Sequence, residues 1–190
     1  DAGIDGAWRF VNRLWRMVTE PPLPIAQPGA PQPSALTATR AEGGEPQACA
    51  AWRELHKTIA RVTDDLEKFG FNRAVARVRE FTNTLADLDG DGPAANWVRR
   101  RGLETLTRLI GPLMPHLAEE LWQRLGHATL LCDEPWPVAD ASKAVHDLVQ
   151  SGQRRAQALA DLAQCKKLST DALRAIDPQL RSFRDVDTPE

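Results

Sequence analysis

Apolar residues recur three and four positions apart in five successive stretches, the period expected of helices with one packed face. The first, about Ile4 to Thr19, sets Trp8, Val11, Trp15 and Val18 on one side and Arg9, Arg13 and Arg16 on another. The second, about Pro46 to Phe69, has the longest stripe, Ala48, Trp52, Leu55, Ile59, Val62, Leu66 and Phe69, with Gly70 placed to end it. Asn72 can cap a third, in which Val75, Val78, Phe81, Thr82, Leu85 and Leu88 keep the period until Asp89-Gly90-Asp91-Gly92-Pro93 breaks it. A fourth, about Ala94 to Ile110, carries Val98, Leu103, Leu106, Leu109 and Ile110, and a fifth, Pro115 to Leu125, carries Leu117, Ala118, Leu121, Trp122 and Leu125. Pro112 lacks an amide hydrogen and its ring clashes with the preceding turn, so these two should bend or separate there.

Between the first two helices, residues 21–46 hold seven of the fourteen prolines and show no periodicity, which predicts an exposed connection. Thr129 to Leu131 is expected to be a short extended segment, and Trp136 lies between Pro135 and Pro137, where the backbone is held extended. Beyond Asp140, Ser142 can cap a helix to about Ala163, and Ser169 a shorter one through Ile176. Six expected helices of ten or more residues, with almost no β-branched alternation, point to an all-α fold, an antiparallel helical bundle. The division expected is a bundle over residues 1–138 and a helical tail of unassigned role over 139–190.

With 190 residues the chain is long enough for one domain with a sizeable core. No apolar run approaches the roughly 18 residues of a membrane span. Cys49, Cys132 and Cys165 are odd in number and widely spaced, which indicates neither a disulfide framework nor a zinc site, and a reducing cytoplasm is the expected compartment. The start at Asp1 suggests a piece of a longer chain.

A formal net charge of −2 denies the overall basic balance of a nucleic-acid binder, so any such role must come from clustering. Clustering is present. Arg53, Lys57 and Arg61 recur every four residues, Arg73 and Arg77 repeat that spacing, and Arg9, Arg13 and Arg16 line the first helix. The 24 basic residues are mostly arginine, whose planar fork suits phosphate. Two readings stand: a solvated face carrying pairs such as Asp5 with Arg9, or a track for a phosphate backbone. Arg99-Arg100-Arg101 is the densest cluster and lies unfavourably near a helix start, which suits either an anionic ligand or a crowded helical surface. Asn12, His56 and Asn72 stand beside the stripes as ribose or phosphate ligands, or as caps and inter-helix bonds. The spacing of Trp8, Trp15, Trp52 and Trp122 assigns them to the core rather than to stacking on bases.

Other chemistry finds little support. Asp87-Leu88-Asp89-Gly90-Asp91-Gly92 opens like a calcium loop, but Val98 occupies the twelfth position, where a bidentate Glu is required. His116 and Glu119 share a helical turn without the second His of a zinc hydrolase. There is no GxSxG and no glycine-rich loop opening a helix after a strand, so no residue is assigned a catalytic role and none a metal.

Gly6-Ala7-Trp8-Arg9-Phe10-Val11-Asn12-Arg13-Leu14-Trp15-Arg16 resembles the first helix of the anticodon-binding domain of bacterial leucyl-tRNA synthetases. Leu55-His56-Lys57-Thr58-Ile59, then Val62-Thr63-Asp64-Asp65-Leu66 and Phe71-Asn72-Arg73-Ala74-Val75-Ala76, looks like that domain's paired second and third helices. The run from Pro112 to Trp122, with Glu134-Pro135-Trp136-Pro137, is similar to its closing segment, which related valyl, isoleucyl and methionyl enzymes share. The resemblance covers about residues 1–138 and implies a bundle that packs behind a catalytic domain and holds tRNA by its backbone, generally without reading the anticodon as identity. The HIGH and KMSKS signatures, the editing domain and a VNGKLRG-like stretch are not in this sequence. ATP and magnesium are therefore expected only in a parent enzyme's catalytic domain, and none for this chain.

The reading that follows is a tRNA-binding module, with leucine-accepting tRNA and the parent catalytic domain as partners. Its phosphate contacts would be Arg9, Arg13, Arg16, Arg53, Lys57, Arg61, Arg73 and Arg77, with Arg99, Arg100 and Arg101. The alternative is a stand-alone, synthetase-derived protein whose tail docks on a protein. A coiled-coil scaffold fits less well, because Gly and Pro interrupt the stripes.

Overall fold

The computed structural model describes residues 2–36 and 44–140, and the helices expected beyond Asp140 lie outside the described residues. Five helices, α1 (Ala2–Thr19), α2 (Pro46–Glu67), α3 (Phe71–Ala86), α4 (Pro93–Ile110) and α5 (Pro115–Arg124), are joined by turns and two short 3-10 segments, Ser34–Leu36 and Leu131–Asp133. Among the described residues there is no strand, and no helix is long and apolar enough to cross a membrane. The all-α bundle expected from the periodicity is the architecture observed.

α2 and α3 form a hairpin, α4 lies against both, α5 follows on α4, and α1 rests on α3 and α5. The expected stripes supply the core: Leu55, Ile59 and Val62 of α2, Val78, Phe81 and Leu85 of α3, and Val98, Leu106 and Leu109 of α4 are all buried in one cluster. Each such side chain contributes about 1.5–3 kcal/mol by leaving water. α4 ends at Ile110 and α5 begins at Pro115, so Pro112 sits in the break it was expected to cause.

Several local expectations change. In α1 the face turned inward is Leu14 and Val18 with Phe10, Trp15 and Met17 beside them, so Trp15 and Val18 pack as expected, while Trp8 stands outside at 67% exposure, not in the core. α2 ends at Glu67 rather than Phe69, and the left-handed residue that closes it is Phe69 (φ 55), not Gly70. Phe69 N bonds to Leu66 O at 3.0 Å and Gly70 N to Asp65 O at 2.6 Å, a paired closure that requires left-handed backbone at residue 69. Asn72 is not a cap, because α3 starts two residues earlier, with Gly70 O accepting from the amides of Arg73 and Ala74. Of the stretch Thr129 to Leu131 expected to be extended, Leu130 is so (φ −73, ψ 142), but the chain coils into a 3-10 turn from Leu131. Glu119 braces this turn, taking the amides of Leu131 and Cys132 on its carboxylate at 2.8 and 3.0 Å. Those bonds, Leu131 first, hold the Glu119 carboxyl below its ordinary value against partial desolvation.

The proline-rich connection is strapped to α4 over its described part. Ala26 N bonds to Asn96 O at 3.0 Å, and Trp97 Nε1 donates to Ala30 O at 2.9 Å. At its far end, Glu45 reaches the start of α4, its two carboxylate oxygens accepting from Ala94 N and Ala95 N, each at 2.9 Å. An acid at this position meets both the orphan amides and the positive end of the helix. Gly92 leaves room for it: a Cβ there would lie 2.5 Å from the Glu45 carboxylate.

Candidate nucleic-acid interface

The eleven basic residues expected to meet phosphate fall into three environments. Arg99 and Arg100, each 6% exposed, are part of the interior. Arg99 donates to the carbonyls of Pro24 (3.1 Å), Leu88 (2.8 Å) and Gly90 and to Asn96 Oδ1 (2.9 Å). Arg100 donates to the carbonyls of Ala26 (2.8 Å) and Leu125 and lies 3.8 Å from the Glu104 carboxylate. Burial pushes both guanidinium groups below their ordinary value, opposed at Arg99 by Asp89, Glu45 and Asp91 and at Arg100 by Glu104. Arginine still stays charged at neutral pH. Reading these two as phosphate ligands is therefore corrected: their donors are spent on chain carbonyls. The acidic turn at 87–91 and the basic run after it, separate puzzles in the sequence, are one structural unit. Arg101 alone of the three faces outward, paired with Glu104 at 3.1 Å and lying over Trp97.

A second group lies at or just below the surface, and most of its members already face acids. Lys57 and Arg61 each lie 3.5 Å from the Glu54 carboxylate. Arg73 and Arg77 share Asp65 at 2.7 and 3.9 Å, and Arg77 also meets Glu80 at 3.2 Å. Arg53 is half-buried on α2. Local carboxylates cancel most of the field these stripes could project.

The third group is different. Arg9, Arg13 and Arg16 on α1 line a groove of about 550 Å³ together with Trp8 and Asn12. Arg9 and Arg13 also line an adjoining groove of about 160 Å³ shared with Arg79 and Asn83 of α3. Arg13 Nη1 donates to Asn83 Oδ1 at 2.6 Å, Arg9 Nε donates to the Asp5 carbonyl at 3.2 Å, and the Arg79 guanidinium lies 6.0 Å from the Phe10 ring centre. Among the described residues none of these four arginines is in an ion pair, and Glu20 is the one acid lining either groove. Four positive charges thus line two grooves that share Arg9 and Arg13, against the single acid Glu20. Arg79 is the residue the sequence did not single out, since it falls outside the Arg73, Arg77 spacing and becomes relevant only when α3 is laid beside α1.

Of the other polar candidates, Asn12 Nδ2 bonds to the Trp8 carbonyl at 2.9 Å within the groove. His56 is buried, with Nδ1 accepting from Asp140 N at 3.0 Å, and serves to pin the closing segment. Trp136 Nε1 does likewise by donating to Thr63 Oγ1 at 2.9 Å. Among the described residues no cluster of His, Cys, Asp and Glu could hold a metal ion.

Known proteins resemble this chain over most of its length. Residues 50–176 match the family described as the anticodon-binding domain of tRNA ligase, a span that takes in Arg79 but begins after α1. Leucine–tRNA ligase of Paramagnetospirillum magneticum is 54% identical over 149 residues, covering 78% of this chain and 16% of that protein. The Methylocella silvestris leucine–tRNA ligase is 35% identical with 96% of this chain covered, so the likeness extends past Asp140, and 21% of that protein is covered. A crystal structure of the LeuRS-tRNA-LeuAMS ternary complex from Agrobacterium radiobacter K84 aligns at TM-score 0.58 and 27% identity, over 76% of this chain and 17% of that one. The chain spans about a sixth to a fifth of the length of these relatives.

Proposed function

Because the chain belongs to the anticodon-binding domain family of tRNA ligases, we propose that it is the helical tRNA-binding module of a leucine–tRNA ligase and holds tRNA by its sugar-phosphate backbone along α1 and its seam with α3. Arg9, Arg13, Arg16 and Arg79 make the phosphate contacts. The observation carrying this reading is the convergence of those four side chains on two adjoining grooves with no ion-pair partner among the described residues. A backbone track needs charge at fixed spacing rather than groups that read base edges, and each phosphate neutralised releases condensed counterions. Arg53, Lys57, Arg61, Arg73, Arg77 and Arg101 play a lesser part, since binding phosphate there requires displacing or sharing a carboxylate in most cases.

On this reading the chain contributes position and no catalytic group. ATP and magnesium act in the parent enzyme's catalytic domain, which is the module's protein partner, and the work takes place in the cytoplasm. The ternary complex from Agrobacterium radiobacter, whose name includes tRNA, supports this reading. Charge reversal at Arg13 and Arg16 tests it. Arg13→Glu/Arg16→Glu should weaken leucine-accepting tRNA binding by roughly tenfold or more, the scale of one lost charge-assisted bond, with the helical circular dichroism signal intact. Affinity within twofold of the wild-type chain would remove these residues from the site.

A further inference from the structure

Trp8 is the least expected side chain in the α1 groove. It carries one of the largest apolar surfaces available to a residue and leaves 67% of its own surface in water, beside Arg9, Asn12, Arg13 and Arg16. A phosphate track alone gives no reason for an indole there. Trp8, Asn12 and Arg16 form one row at four-residue spacing, so Trp8 and Arg16 are separated by about 12 Å along the helix. A planar ring at one end and guanidinium groups beside and beyond it match a short run of unpaired nucleotides. A base lies on the indole while flanking phosphates meet the arginines. In a paired helix the base faces are covered by their neighbours, and unpaired bases are offered only by a loop, a bulge or a single-stranded overhang.

We propose that Trp8 is a stacking platform for an unpaired nucleobase, so that the α1 groove takes a looped stretch of RNA rather than a uniform duplex. The proposal rests on the tRNA-binding reading above and sharpens it. Ile4, 69% exposed and four residues before Trp8, extends the apolar row and is the feature a protein partner would use. The charge favours RNA: Arg9, Arg13, Arg16 and Arg79 against Glu20 make the surroundings complementary to a polyanion.

The test is fluorescence anisotropy of the 190-residue chain, at low salt, with a labelled RNA stem-loop and with the same stem as a blunt duplex. The variants are Trp8→Ala, Trp8→Phe and Arg13→Glu/Arg16→Glu. Trp8→Ala should weaken stem-loop binding roughly 5- to 150-fold, the range for losing one base stack, while duplex binding stays within twofold and Trp8→Phe retains most of the affinity. Since Trp8 is outside the core, its variants should melt like the wild-type chain. If Trp8→Ala leaves both RNAs unchanged, or weakens both equally, while the arginine variant weakens both, base stacking is overturned and the backbone reading stands. If no variant weakens either RNA, both are overturned, and Trp8 is left as a contact for protein.

Discussion

Removing the Arg99 side chain should be far more damaging than removing Arg101, two residues away. Arg99→Ala strips the donors from three carbonyls, those of Pro24, Leu88 and Gly90, and from Asn96 Oδ1. Each bond from a charged donor contributes about 1.5–3 kcal/mol, but the sum is not additive because freed carbonyls on the connection and the turn can partly reach water. A total of about 3–5 kcal/mol is the expected cost, as for breaking a buried charged network. With a urea slope of about 2 kcal/mol per molar, the unfolding midpoint should fall by about 1.5–2.5 M. Arg100→Ala should behave alike, since it abandons the Ala26 and Leu125 carbonyls and leaves buried Glu104 with one cation fewer. Arg101→Ala removes an outward-facing ion pair and should cost no more than about 1 kcal/mol. Equal, small shifts for all three would refute the reasoning. So would Arg99→Ala or Arg100→Ala variants of wild-type stability with weakened RNA binding, because that pattern belongs to surface ligands.

Three further perturbations probe individual joints. Glu45→Gln should lower stability by about 1–2 kcal/mol, because one of the two oxygens that receive the α4 amides becomes a donor and the charge at the helix start is lost; an unchanged urea midpoint would contradict this. Phe69→Gly should stabilise the chain by about 0.5–1 kcal/mol, seen as a melting temperature a few degrees higher, since Phe69 is 80% exposed and held in left-handed backbone; a lower melting temperature would show that the ring is doing something that its contact with Phe71 at 6.2 Å does not reveal. Glu119 has a lowered folded-state value, so its stabilisation is complete above the ordinary carboxylate range and is lost as pH falls through that lowered value. The stability gap between wild type and Glu119→Gln should therefore shrink in acid, and a gap constant from neutral pH into acid would contradict the assignment.

The bundle was legible because its stripes are long: in α2, Leu55, Ile59 and Val62 are where the period puts them. What the period could not supply is a partner distant in sequence. Arg99 and Arg100 read as a surface cluster because their acceptors, Pro24 and Ala26, lie 75 and 74 residues away in a connection whose prolines advertise only looseness. Trp8 was misjudged for another reason. α1 rests on the bundle along a narrow line, and which of its apolar residues faces inward depends on α3 and α5 rather than on α1 itself. The candidate seam was half visible in Arg9, Arg13 and Arg16. Its other half, Arg79, has no local signature and is identified by the neighbour it shares them with.

The most direct test of the phosphate-track account is the salt dependence of leucine-accepting tRNA binding by the wild-type chain and by Arg13→Gln/Arg16→Gln. Each phosphate contact contributes about 0.7–0.9 to the slope of log affinity against log salt. The account predicts a slope shallower by about 1.4–1.8 in the variant, and identical slopes would contradict it.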